Sequence, residues 1–132
     1  MYHSLYYAAR LRLAADVTTD EINQKIDEIL ERLGIHSIKH ALIDQISGGQ
    51  RKRVSIAVEL LSDPSILFLD EPTSPLDPET IEEFLRILRK LAASGTTILM
   101  VTHKPDDLDS ADKVAFLSRG GYLVFMALRR SI

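Results

Sequence analysis

The chain has 132 residues, the length of one domain or less, and its 16 lysines and arginines against 19 aspartates and glutamates leave a formal net charge of −3. That mild acidity does not suit a general binder of nucleic acid or of an anionic membrane surface. There is no cysteine, which excludes disulfides, thiolate zinc sites and a cysteine nucleophile within the chain and fits a reducing compartment. A hydrophobic fraction of 45% beside 27% charged residues is the balance of an ordinary globular protein rather than a disordered one. The longest apolar runs, Ile66-Leu67-Phe68-Leu69 and Ile98-Leu99-Met100-Val101, fall far short of the roughly 20 residues a spanning helix needs. Arg10 and Arg12 interrupt the first apolar stretch, so it does not read as a signal peptide.

The first element is helical: Leu5, Ala8, Ala9 and Leu13 keep helical spacing between residues 4 and 14. Thr18 with Glu21 three residues on is a capping-box pattern, opening a helix with Ile22, Ile26, Ile29, Leu30 and Leu33 on one stripe and Gly34 as its stop. Residues 35–46 read as a loop or short helix. Ser47 and Gln50 repeat the capping-box spacing ahead of a helix running to about Leu61, with Val54, Ala57, Val58 and Leu61 as its inner stripe, before Asp63-Pro64 breaks it. Ile66 to Leu69 is a continuous apolar run ending in Asp70-Glu71-Pro72, the pattern of a strand buried on both faces. Asp77-Pro78 supplies an N-cap and a proline at the first helical position for a helix with Ile81, Phe84, Leu85, Leu88 and Leu91 inward, ended by Gly95. Residues 96–101 form a second buried strand, closing at Thr102-His103. A strand, a helix of about 15 residues and a strand make a βαβ unit, whose strands are parallel. Residues 114–118 and 122–126 flank Arg119-Gly120-Gly121 and predict an antiparallel hairpin.

In an open parallel sheet, ligands bind beyond the carboxyl ends of the strands, and two such ends here carry polar groups: Asp70-Glu71 and Thr102-His103. Of two adjacent carboxylates, one can hold a hydrated Mg²⁺ and the other can orient or deprotonate a water. Equally, the pair can simply cap a strand before a proline turn. Ser47-Gly48-Gly49 at a helix start offers free backbone N–H groups and a partly positive helix end to a phosphate, or is only a flexible loop with a good cap. His103 alone is an ordinary strand-end histidine. Arg51-Lys52-Arg53 reads as a solvated helix face or as a nucleic-acid contact that the net charge does not favour.

Taken in order, Ile46-Ser47-Gly48-Gly49-Gln50-Arg51-Lys52-Arg53, then Ile66-Leu67-Phe68-Leu69-Asp70-Glu71-Pro72-Thr73-Ser74, then Leu76-Asp77 and Thr102-His103 strongly resemble the ATP-binding cassette (ABC) family. The resemblance covers nearly the whole chain, and the run from Ile46 to Asp77 looks most like the G subfamily of pigment, sterol and drug exporters. It implies an α/β fold: part of a P-loop NTPase core of the RecA-like ABC type, with parallel strands, an N-terminal helical subdomain and a C-terminal antiparallel hairpin. Residues 1–62 would be the helical subdomain with the signature motif, and residues 63–132 the C-terminal half of the ATPase core. By the same resemblance, Ser47, Gly48, Gly49 and Gln50 match the signature that contacts the γ-phosphate of ATP held by the opposite subunit. Asp70 matches the Walker B aspartate that holds Mg²⁺ through water, Glu71 the catalytic base, Asp77 the D-loop aspartate at the dimer interface and His103 the switch histidine.

None of the six glycines is followed by Lys-Ser or Lys-Thr, so the chain contains no P-loop motif. The implied whole is therefore longer: an ATPase subunit of a transporter, of which this is the second half. Its partners would be a second ATP-binding domain and a transmembrane domain, with no nucleic acid, at the cytoplasmic face of a membrane. The piece alone is expected to lack ATPase activity, because nothing in it cradles the triphosphate. In the family the P-loop strand lies between the strands matching residues 96–101 and 114–118. Without it a slot of unpaired backbone remains, and self-association, strand swapping or a rearrangement that closes the gap is expected. Pro75, where the family usually carries a small residue, departs from the D-loop pattern, and the tail from Met126 to Ile132 does not read as a family continuation. The rival readings are a non-transport ABC ATPase acting on nucleic acid or ribosomes, against which only about 45 residues of helical pattern precede the signature rather than a long coiled coil, and a catalytically inactive regulatory half-domain.

Overall fold

The structure is a computed structural model that describes residues 1–74 and 76–128. Three helices come first: α1 (Tyr2–Arg12), α2 (Thr19–Arg32) and α3 (Gly48–Leu60), with short 3₁₀ turns at His36–Ile38 and Ile43–Gln45 between the last two. Both expected capping boxes form. The Thr18 side chain accepts from the Glu21 N–H while Glu21 reaches back to the Thr18 N–H, and Ser47 and Gln50 do the same for α3. Gly34, at φ +66°, ends α2 in a left-handed turn where the Gly34 N–H bonds to the Glu31 carbonyl and the Ile35 N–H to the Leu30 carbonyl. The predicted α2 stripe of Ile22, Ile26, Ile29, Leu30 and Leu33 is buried in full. It packs with Leu5 and Ala9 of α1 and Val54, Ala57, Leu60 and Leu61 in and after α3 into one core, where each large side chain contributes roughly 1.5–3 kcal/mol. Salt bridges pin its rim, among them Arg12 to Glu59 at 3.1 Å between α1 and α3.

Next come β1 (Ile66–Asp70), α4 (Pro78–Ala93) and β2 (Thr97–Val101). β1 and β2 are parallel, with Ile66 opposite Thr97 and Asp70 opposite Val101, as the βαβ reading requires. Asp77 caps α4, Pro78 occupies its first turn, and Phe84, Leu85, Ile87, Leu88 and Leu91 are buried beneath it. A six-residue 3₁₀ segment, Pro105–Ser110, then leads into the antiparallel hairpin of β3 (Lys113–Leu117) and β4 (Leu123–Leu128).

The expectation of strands buried on both faces is corrected. Leu67 is buried and Leu69, Ile98 and Met100 pack against the core, but the opposite face of the same two strands is open: Phe68 is 70% exposed and Leu99 54%, with Ile66 and Val101 beside them. A parallel pair buries both faces only when layers lie on both sides, and among the described residues only one side is covered. The hairpin is more open still, with Phe116, Leu123, Val124, Phe125 and Met126 exposed. Among the described residues β1–β2 and β3–β4 are two separate two-stranded sheets, and β2 is not paired with β3. Arg53 corrects the solvated-face reading of the basic run: its side chain is buried and forks onto Glu83 of α4 at 3.1 and 2.6 Å. Pro75 and the last four residues of the tail lie outside the described residues.

Candidate functional site

The structure draws the flagged residues into two clusters. The first is at the tips of β1 and β2. Asp70 is the exposed last residue of β1. Glu71 follows with φ +41°, a left-handed conformation that costs a non-glycine residue about 1–3 kcal/mol and persists only where surrounding bonds enforce it. Here the Glu71 N–H donates to the Val101 carbonyl at 2.8 Å and the Ser74 N–H donates to the Glu71 carbonyl at 3.1 Å. The turn aims the carboxylate across the strand tips, where its Oε1 lies 2.9 Å from Nδ1 of His103, the second residue after β2. Both side chains remain open to solvent. A carboxylate bonded to one ring nitrogen fixes the tautomer and leaves the other nitrogen facing outward for a ligand.

Beneath that pair lies a network that sequence reasoning missed. Asp107, on the 3₁₀ segment, is fully buried, and its Oδ2 accepts from the Thr73 hydroxyl at 2.7 Å and the Thr102 hydroxyl at 2.6 Å. Lys104 Nζ donates to the Thr73 carbonyl at 2.8 Å. Thr73 and Thr102 stood in the motif strings, but nothing in their spacing pointed to Asp107.

The second cluster surrounds the start of α3. Ser47 is its N-cap, its Oγ accepting from the Gln50 N–H at 3.2 Å while Gln50 Oε1 accepts from the Ser47 N–H at 2.9 Å. Gly48 is exposed and Gly49 buried in the first turn, where helix N–H groups have no partner within the helix. Gly49 is required by close approach: a Cβ there would sit 2.4 Å from Thr80 Cγ2. Thr80 in turn serves Asp77, whose carboxylate accepts the Thr80 N–H at 3.0 Å and the Thr80 hydroxyl at 2.6 Å. The Thr80 hydroxyl first and its N–H second hold the Asp77 carboxyl below its ordinary pKa. Asp77 thus begins as the cap of α4, in contact through Thr80 with the α3 turn. No hydrogen bond between side chains joins the two clusters among the described residues.

Among the described residues no three His, Cys, Asp or Glu side chains converge where they could hold a metal ion. Mg²⁺ keeps several waters and takes one or two protein carboxylates together with substrate phosphates, so the single carboxylate of Asp70 at a strand tip fits that ion and not a closed protein cage. No described helix is long and apolar enough to cross a membrane.

The chain as a whole is similar to known proteins. The family model described as "ABC transporter" matches residues 4–74. The chain is 46% identical over 123 residues to the ABC transporter ATP-binding/permease protein Rv1747 of Mycobacterium tuberculosis, an alignment over 93% of this chain and 14% of that protein. It is 36% identical over 132 residues to ABC transporter G family member 34 of Arabidopsis thaliana, covering 95% of this chain and 9% of the relative. Among solved structures it is similar to cbiO1 of Clostridium perfringens, part of the cbiONQ ABC transporter complex, with a TM-score of 0.84 at 32% identity over 94% of this chain and 50% of that one. It is similar also to MJ0796, a bacterial ABC transporter cassette solved as a dimer, with a TM-score of 0.78 at 25% identity over 97% of this chain and 56% of the other. The chain therefore spans about half of these cassettes and a small part of the curated relatives. On sequence and fold together, it belongs to the ABC transporter family.

Proposed function

We propose that this chain is the C-terminal half of the ATP-binding cassette of a G-type transporter, coupling ATP hydrolysis at a head-to-tail dimer to movement of membrane helices on whose cytoplasmic side it sits. The dimeric form of the MJ0796 cassette supports the pairing. The observation that carries the reading is the Glu71–His103 pair, set at 2.9 Å on the tips of two parallel strands by a left-handed turn at Glu71.

Each residue then has a defined task. Glu71 accepts the proton of the attacking water on a carboxylate oxygen. His103 donates its Nδ1–H to that carboxylate, and when the ring carries hydrogen on both nitrogens its Nε2–H can donate to the γ-phosphate. Asp70 would hold Mg²⁺, which would supply neutralisation of the nucleotide's phosphate charge. The α3 turn of residues 47–50 offers its free N–H groups to the nucleotide on the opposite cassette, and Asp77 with its Thr80 contact carries the interface loop beside that turn. Residues 1–62 form the helical subdomain and residues 63–132 the half-core. The open face of β1–β2 and the slot beside β2 are covered by the half of the cassette that carries the P-loop, and the chain alone self-associates through them.

Three proteins test this: the complete cassette, its Glu71→Gln variant and the isolated chain. Steady-state ATPase assays and nucleotide-binding measurements are expected to give turnover in the first, a loss of about 10²–10⁴-fold with ATP binding retained in the second, and neither hydrolysis nor tight binding in the third. Normal hydrolysis by Glu71→Gln removes Glu71 from the base role, and turnover by the isolated chain removes the need for the other half.

A further inference from the structure

The network under the strand tips connects the two loops that carry Glu71 and His103. Thr73 stands two residues after Glu71, Thr102 stands immediately before His103, and one oxygen of Asp107 accepts a hydroxyl proton from each. The other contacts close the arrangement: Lys104 donates its backbone N–H to Thr102 Oγ1 at 3.1 Å and its ammonium to the Thr73 carbonyl at 2.8 Å. Thr73 and Asp107 are both buried, whereas Glu71 and His103 are not. Glu71 and His103 meet at 2.9 Å although both are exposed, and the buried network lies directly beneath the backbone that carries them.

The arrangement carries a cost that packing does not explain. Oδ1 of Asp107 is buried without a hydrogen-bond partner among the described residues. A buried unsatisfied oxygen is a standing cost, one that an apolar cluster replacing Asp107 together with both threonines would avoid. Such local violations collect at working sites. We infer that Asp107 is a positioning residue: through Thr73 and Thr102 it holds the Glu71 carboxylate and the His103 ring in register for the attack of water. The inference rests on the reading of Glu71 as base and His103 as phosphate contact.

The test uses the complete cassette with Asp107→Ala, Asp107→Asn, Thr102→Val and the Glu71→Gln control. The asparagine carbonyl can still accept from both threonines, and alanine cannot. Asp107→Ala is expected to lower kcat about 10- to 100-fold, by analogy with the loss when the partners that orient metal ligands are removed, with KM for ATP moving less than about threefold. Asp107→Asn should recover most of the loss, and Thr102→Val should lower kcat less than Asp107→Ala while keeping KM. A merely structural role predicts the opposite split: a lower melting temperature with unchanged kcat per folded molecule, or an Asn variant as impaired as Ala. Either result overturns the proposal, as does wild-type kcat in Thr102→Val. If Asp107→Ala does not fold, Asp107→Asn and Thr102→Val decide on the same criteria. If Glu71→Gln hydrolyses normally, the reading of the base fails and Asp107 falls with it. If Glu71→Gln is inactive while the Asp107 variants turn over normally, the positioning inference alone fails.

Discussion

The helical region up to Leu61 and the α/β region after it contain the same kinds of apolar residue and finish them differently. The α2 stripe closes completely against α1 and α3, down to Leu30 and Leu33 with no exposure at all. β1 and β2 close on one side only, leaving Phe68 and Leu99 in water, and the β3–β4 hairpin is open on its large side chains. A helix with one apolar stripe is satisfied by neighbouring helices on one side, whereas a parallel strand has two faces and two edges to cover. The α2 stripe is thus fully covered within a core that α4 and Leu67 of β1 also join, whereas one face of β1–β2 and most of the hairpin are left uncovered by the described residues.

The sharpest way to break this contrast is a pair of truncations in the same chain. Leu30→Ala is expected to cost about 2–5 kcal/mol, because it leaves a cavity in a closed core. Phe68→Ala removes a larger side chain and is expected to cost within about 0.5 kcal/mol, as an exposed substitution does, while reducing self-association. Urea unfolding followed by circular dichroism, with light scattering on the same samples, reads both. Equal destabilisation by the two changes would show that the strand face is covered after all.

The next largest effect falls where the two regions meet, at Gly49 and Thr80. A Cβ on Gly49 would lie 2.4 Å from Thr80 Cγ2, so Gly49→Ala is expected to destabilise by about 1–3 kcal/mol through overpacking. Thr80→Ser deletes that methyl but keeps the hydroxyl that Asp77 accepts from. The double variant should therefore recover most of the loss in a thermal melt. Failure of the serine to rescue would mean that a contact other than the Thr80 methyl sets the cost at Gly49.

What could be read from the residues alone divides along the same line. Caps, stops and stripes were legible because their partners lie within one turn or two: Thr18 with Glu21, Ser47 with Gln50, Asp77 with Thr80. Parallel pairing of β1 and β2 followed from a helix-length crossover. The apolar runs of the strands said that both faces can be buried, but whether they are depends on a second layer that no local pattern encodes. Long-range pairs were equally hidden. Arg53 reads as one of three surface charges until Glu83, 30 residues on, is seen to take it, and Asp107 reads as one of several loop carboxylates until two threonines from separate strand tips converge on it. The motif residues Asp70, Glu71 and His103 were legible as candidates, while the network beneath Glu71 and His103 was not.

The smallest effect separates two caps of the same design. α2 opens with Thr18 and Glu21, α3 with Ser47 and Gln50, and only the first can be titrated. The Thr18 N–H first, and its hydroxyl second, hold the Glu21 carboxyl below its ordinary pKa. In the range just below that ordinary value the folded chain binds fewer protons than the unfolded one. The stabilisation is therefore complete above the unfolded pKa, near about 4.3, and is lost as pH falls through the lower folded value. Helix ends open by local fraying, so amide-exchange protection in the first turn of α2 should fall as pH is lowered below about 4.3, while that of α3 holds over the same range. Glu21→Gln keeps both hydrogen bonds of the box and should give α2 the flat profile of α3. A parallel decline at both caps, or continued loss of protection in the Glu21→Gln variant, would place the acid response in the shared core and not in the cap.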